Sequence, residues 1–435
     1  MRYFKTLLFS FLLFQAGCSG VQNIKPPKER IQEYERLLVK TPGNPVLMRE
    51  LGAAHFELNQ FDQAESYLKD ALVRSPADPK VALYYGLVLE ATNRRASALE
   101  IYKNHTQYDP KVSFTRLLEG RYLNLTRAIL RSEMSELARK ESSGELTNGR
   151  IEPNAVAVFP FNYLGKNKQY APLSRGIAAL IITDLGSVQG LKLLERLQIG
   201  VLQQEIAQGQ TGFIDPETAP RAGRILGASK VVSGNYNVSA KDQITIDAGY
   251  WDVLKDESDF KTEPGPLSDL FRLQKTVVIK LLESMKIPIT QQERQKILGT
   301  IPTQNLQAFL AYCRGMESED SGDVTGALRN FRRAVELDPK FQKARELLDK
   351  NINRQAAGST WKDLNFTYDF SGAGKNGGSG LGNDQLVADR LQAVGTELGS
   401  NLFPNPDKRN PTDEFGRISE QTDLPRPPVF PPKGN

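Results

Sequence analysis

The 435-residue sequence has almost no cysteine and almost no histidine, two of each. With only Cys18 and Cys313, no pair is left for a structural disulfide if Cys18 is modified, and no Cys/His spacing of the zinc type occurs. Also missing is a dense Lys/Arg run interleaved with aromatics. The net charge of +5 is mild for this length, so nucleic-acid binding is not indicated. There is no nucleophile elbow, no Gly-rich phosphate loop leading into a helix with a Lys, and no metal-ligand cluster. The expectation is a non-enzyme with no catalytic, cofactor-binding or metal residue. His55 and His105 fall in repeat helices at positions of core type, and Cys313 within a helix, so all three read as packing residues.

The length suggests two or three domains. At the start, Arg2 and Lys5 precede an apolar stretch, residues 7–14, that is too short to span a bilayer. Ala16-Gly17-Cys18 follows. This resembles a bacterial lipoprotein signal, residues 1–18, in which Cys18 becomes the lipidated first residue. Gln15 stands where such signals usually have Leu, and an ordinary signal peptide cut near the same place is the other reading. Two or more acyl chains, at about 0.8 kcal/mol per buried methylene, would anchor the chain stably. Ser19 has no acidic retention character. The resemblance therefore implies an outer-membrane lipoprotein facing the periplasm, with the leaflet left open.

Residues 30–110 carry a period. Gly52 and Gly86, Ala64 and Ala98, and Pro76 and Pro110 stand one tetratricopeptide length apart. Small residues let two helices approach, larger ones fill the layer between units, and Pro ends the second helix. Residues 31–38 read as the second helix of a partial unit closed by Pro42. Gly120 keeps the spacing but Ser132 breaks it, so 114–140 is either a capping pair or one long helix. A helical-repeat domain over 30–140 is expected. Its groove either holds a protein partner or packs on a neighbouring domain.

Residues 191–234, LKLLERLQIGVLQQEIAQGQTGFIDPETAPRAGRILGASKVVSG, read as strand, helix, helix, strand. Asp215 is an N-cap with Pro216 at the first helical position, Gly227 a C-cap, and 230–234 a strand. Before this unit come a strand over 155–161 (AVAVFPF) and a helix over 173–188. After it, Ile244, Ile246 and Ala248 alternate as in a half-buried strand, and 267–286 forms a closing helix. The LLER strand end, the LQIGVLQQE helix and the LGA-to-VVSG passage resemble the CsgG-like family of curli-assembly lipoproteins, over 151–286, roughly a third of the chain. TolB-like amino-terminal domains are similar in shape. The resemblance implies an α/β domain over 151–290, self-assembly through it, and an envelope role. In the curli channel, long alternating segments follow the VVSG-type strand. Here 255–266 is charged and Pro-broken and reads as non-alternating, so the fold is carried over and the pore is not. Glu195, Arg196 and Glu205 read as structural ion pairs or helix caps.

Gly315, Ala327, Phe331, Ala334 and Pro339 repeat the tetratricopeptide pattern, giving a further repeat over 302–353 with a capping helix. From Ala356 to residue 435 the composition turns Gly- and Pro-rich, as in a disordered tail. A short helix over 385–398 is expected inside it. The expected fold is thus α+β multidomain, with all-α tetratricopeptide repeats flanking an α/β CsgG-like domain. The expected role is an anchored protein-binding scaffold that assembles or tethers an envelope complex. The alternative is a CsgG-type channel subunit.

Overall fold

The 34-residue rhythm becomes a stack of antiparallel helices. The computed structural model describes residues 25–146, 151–207, 218–364 and Leu391. Cys18 and residues 215–217 lie outside that set. The stack opens with α1 (Pro27–Lys40), α2 (Pro45–Glu57), α3 (Phe61–Arg74), α4 (Pro79–Ala91) and α5 (Arg95–Lys103). α2 and α4 start alike. Asn44 and Asp78 accept hydrogen bonds from the amides two and three residues on, and a proline takes the first helical position, where no amide partner is needed. In each pair the helices touch at a glycine. A Cβ on Gly52 would lie 2.4 Å from Leu68 Cγ, and one on Gly86 would lie 2.2 Å from Tyr102 Cε1. The sequence period is a packing period.

The stretch expected to cap the repeats is one helix of 30 residues, α6 (Ser113–Ser142). Its first half closes the stack. Its second half reaches the sheet, where Met134, Leu137 and Ala138 pack with Ala219 and Ile225.

The sheet unit runs β1 (Glu152–Val158), β2 (Asn162–Tyr163), α7 (Leu173–Leu185), β3 (Lys192–Leu193), α8 (Arg196–Ala207), α9 (Ala219–Leu226), β4 (Ala228–Val238), β5 (Gln243–Asp252), β6 (Glu257–Pro266) and α10 (Leu270–Ser284). Among the described residues the strand order is β3-β1-β4-β5-β6, with β2 beside β4. β1 runs parallel to β3 and β4, while β4–β5 and β5–β6 are antiparallel. A parallel central strand is covered on both faces, which is why 155–159 is apolar throughout. Val156 and Val158 face a core shared with α7 and α10. Ala155, Ala157 and Phe159 face α8 and α9.

Two expectations change here. The strand expected to open the 191–234 unit is only two residues long, Lys192–Leu193. The charged, Pro-broken stretch 255–266 holds β6, ten residues long, whose burial alternates. Among the described residues its one neighbour is β5, with Pro264 opposite Thr245 and Pro266 opposite Gln243. An edge strand needs hydrogen bonds on one side only and one sheltered face, so it tolerates the prolines and charges that argued against a strand.

α11 (Gln291–Gly299), α12 (Leu306–Ser321), α13 (Val324–Leu337) and α14 (Gln342–Ala356) follow. α12 presses on α7 so closely that a Cβ on Gly176 would lie 2.3 Å from Cys313 Sγ. α14 lies against α6, where a Cβ on Gly120 would meet the Asn353 carbonyl at 2.1 Å. The two repeat segments, separated in sequence by the sheet unit, therefore meet in space. The break expected at Ala356 also moves. Ala356 ends α14, and residues 361–363 form a turn of tight helix closed by a Thr360–Asp363 capping box. The Gly-rich composition further on hides Trp361 and Leu364, which pack on the repeats.

Candidate protein-binding face

Ala53, Leu87 and Arg121 each follow one of the packing glycines, so they lie about 100° round their helices from that contact. With Phe56, Leu83 and Leu117 they make an inner face across α2, α4 and α6. All six are at most 1% exposed. A face this dry has a cover, and the described part of the cover is the chain itself. Arg121 Nη1 and Asn124 Nδ2 donate to the Gly358 carbonyl at 2.9 and 2.7 Å. The Trp361 ring lies 5.5 Å from Phe61 and 6.0 Å from Phe56. Leu364 and Leu391 are buried in the same apolar cluster.

Arg121 is the face's one buried cation of this row, and its partner is fixed. It forks onto Glu90 at 2.6 and 3.1 Å, and Tyr102 donates its hydroxyl to the same carboxylate at 2.8 Å. Burial opposes the charge on Arg121, but Glu90 outweighs it and holds the guanidinium above its ordinary pKa.

At the α1 end the face turns polar. Arg30 pairs with Glu57, Lys80 Nζ lies 3.0 Å from Glu50, and Arg49 lies 2.7 Å from Asp78. Lys80 also stands 5.3 Å over the Phe114 ring. Burial pushes the Tyr84 phenol well up, and it pushes the Glu57 carboxyl up despite Arg30. Arg30 Nε, Glu57 Oε1, Tyr84 Oη and Thr115 Oγ1 are buried with no hydrogen-bond partner. Unpaired buried polar atoms cost about 1–3 kcal/mol each.

A second cluster joins the repeats to the sheet unit. Arg196 reaches Glu319 and Asp320 of α12, rather than Glu195 beside it. Arg175 Nε lies 2.9 Å from Asp320, Arg354 Nη1 3.4 Å from Glu319, and Arg127 Nη1 donates to the Asp320 carbonyl at 3.1 Å. Burial would raise the Glu319 carboxyl, but Arg196, Arg354 and Arg127 overcome it and hold it below its ordinary value. Arg127 is pushed down to about 10 by burial and by Arg354. These four arginines converge on the two neighbouring acidic residues of α12 from four other helices, α6, α7, α8 and α14. The cluster is a joint, and sequence reasoning missed it because no local pattern links Arg196 to α12.

A cavity of about 410 Å³ opens between α7, α10, α12 and the start of α14, lined in part by Asp184, Lys275, Phe309, Tyr312 and Phe341. Asp184 pairs with Lys275 at 2.5 Å and accepts from Gln274 at 2.8 Å, so its charge is already answered.

The remaining sequence candidates lie apart. His55 stacks on Tyr67 at 5.6 Å and its Nδ1 is 2.7 Å from Gln60 Oε1. His105 lies in the tight turn after α5, tilted against Tyr122 at 5.2 Å, and is only partly buried. Burial pushes the Cys313 thiol well up. The Glu205 side chain lies outside the described residues. Among the described residues no group of His, Cys, Asp or Glu is arranged to hold a metal, and no helix is long and apolar enough to cross a membrane.

Paired helices on a fixed period, mostly helical overall, with a small mixed sheet set between two repeat segments, define a helical-repeat protein. The tetratricopeptide repeat profile matches residues 49–110. Among solved structures, the crystal structure of yeast Tom70 is similar at 16% identity, over 76% of this chain and 62% of that one, with a TM-score of 0.21. The chain thus spans under two thirds of that structure, in a superposition too loose to carry a role across. No curated protein matches the sequence.

Proposed function

We propose that this chain is a lipid-anchored scaffold of the cell envelope, held at the outer membrane through Cys18 and facing the periplasm. Its repeat helices bind a protein partner and so assemble or tether an export or surface-fibre complex. The observation that carries this reading is the inner face of α2, α4 and α6, apolar in the middle and lined with unpaired buried polar atoms at one end. Tetratricopeptide repeats suit such work, since stacked helix pairs present a long continuous surface. The lipoprotein-like start of the sequence and the resemblance of 151–286 to CsgG-like domains support the envelope setting. That resemblance also supports contacts between copies through the sheet unit. A channel role finds less support. β5 and β6 have the length of a membrane strand, but β5 lies between β4 and β6 and packs under α10.

Val46 tests the reading. It is 50% exposed and stands one repeat before Lys80, at the open end of the row that runs to Phe114. A photo-reactive residue at Val46 in the membrane-bound protein should capture one defined envelope protein. The same residue at Leu254, 52% exposed on the sheet unit, should not capture that protein. Equal capture from both positions, or none from Val46, would remove the claim.

A further inference from the structure

The cavity between α7, α10, α12 and the start of α14 is graded from end to end. Asp184, Lys275, Phe309 and Phe341 in its lining are at most 4% exposed, whereas Ile301 is 51% exposed. One end is closed and the other open. Its volume of about 410 Å³ falls inside the range of about 300–1,000 Å³ that small-molecule sites occupy.

At the closed end the hydrogen bonds do not balance. Both Asp184 oxygens are taken, Oδ1 by Lys275 and Oδ2 by Gln274. An ammonium carries three donors, and Asp184 is the one acceptor that Lys275 Nζ meets among the described residues. Donors of a buried cation are therefore left over on a residue that lines the cavity. Gln274, fully buried beside it in the sequence, gives its amide to Asp184 and leaves Oε1 without a partner. A few convergent polar groups in an otherwise apolar cavity fix the orientation of a ligand. The ligand atom that meets Lys275 is an acceptor, since an ammonium only donates. It is uncharged, since Asp184 already answers Lys275, and a second carboxylate would be repelled by the first. Burial already pushes the Asp184 carboxyl up despite Lys275 and Gln274. The walls describe the rest of the molecule. Phe309 and Phe341 stand either side of Tyr312 in the contact chain, at 6.1 and 4.9 Å between ring centroids, and a flat ring packs well against such a surface.

We propose that this cavity binds a small uncharged ring compound with one hydroxyl or carbonyl oxygen, the oxygen accepting from Lys275 and the ring lying against Phe309, Tyr312 and Phe341. α7 and α10 belong to the sheet unit, α12 and α14 to the second repeat segment, so the ligand touches both and stabilises their union by linkage. The inference is independent of the reading of the repeat face.

The experiment titrates the full chain at neutral pH with 2-naphthol, naphthalene and 2-naphthoate, read by ligand-observed NMR and by thermal melts. 2-Naphthol should bind at a single site about tenfold more tightly than either of the others, as befits one hydrogen bond from a charged donor, and should raise the melting temperature. Asp184→Asn combined with Lys275→Met removes the donors without stranding a charge, and should bind 2-naphthol no better than naphthalene. Ala179→Trp fills the cavity from α7 and should abolish binding of all three compounds. Circular dichroism confirms that each variant keeps its helices, and if Ala179→Trp loses them the double variant decides. The proposal is overturned by no binding of 2-naphthol, by equal affinity for naphthalene, by tighter binding of 2-naphthoate, or by wild-type affinity in either folded variant.

Discussion

Glu319 shows what one residue holds in this molecule. It is 7% exposed and accepts from Asn351 at 3.1 Å while pairing with Arg196 and Arg354. Removing one partner of such a buried group leaves uncompensated charge. Glu319→Gln should therefore lower the unfolding free energy by about 3 kcal/mol, read by urea denaturation. The pH dependence follows from the direction of its shift. Its carboxyl titrates lower in the folded chain than in the unfolded one, where about 4.3 is ordinary. The stabilisation is present above that unfolded value and is lost as pH falls through the lowered folded value. Thermal melts should show the wild type losing stability below about pH 4 more steeply than Glu319→Gln. Identical acid profiles would mean that Glu319 contributes nothing specific. In the sequence, Arg196 stands out as a charge at a strand end, and its structural role could be read there. Its partner could not, because the contact is made by the packing of α8 on α12.

At the scale of elements, α6 joins the parts. Gly120 lets α14 come so near that a Cβ would strike the Asn353 carbonyl. Backbone cannot retreat as a flexible side chain can, so Gly120→Val should cost about 2 kcal/mol and loosen α14 from α6. The measurement is stability together with hydrogen exchange over α14. Wild-type values in both would contradict the close approach. Trp361 makes a second join, edge-on to Phe56 and Phe61. Trp361→Ala should cost about 1–2 kcal/mol in lost aromatic contact and burial, with faster exchange in α2 and α3. The repeats were legible because glycine, alanine and proline recur at a length that only paired helices explain. β6 was not, since its burial alternates but the sheltered positions carry Asp259, Lys261 and Glu263 while Phe260 faces outward, so the sequence shows no apolar alternation. The short β3 was over-read, because Leu191, Leu193 and Leu194 around Lys192 fit a half-buried lead into a helix as well as a strand. Trp361 and Leu364 were lost in the average composition of the Gly- and Pro-rich stretch that follows them.

At the scale of the whole molecule, the described residues are mostly helical, with tetratricopeptide-like helices and a mixed sheet between α6 and α12, clasped by the Arg196–Glu319–Asp320 cluster and by α14 on α6. No single segment of sequence could show that closure, because each contact joins stretches far apart along the chain. The proposed anchor makes its own prediction. Cys18→Ala should move the protein from the membrane fraction to the soluble fraction without changing its melting temperature, since an acyl anchor acts on the membrane rather than on the fold. A variant that stays membrane-bound would contradict lipidation at this cysteine. The central claim, an anchored binding scaffold and not a pore, is tested most directly by the native mass of the detergent-extracted mature protein. The account predicts one or two copies of the chain, alone or with a single protein partner. A large closed ring of identical chains would contradict it and would make the sheet unit the body of a secretion channel.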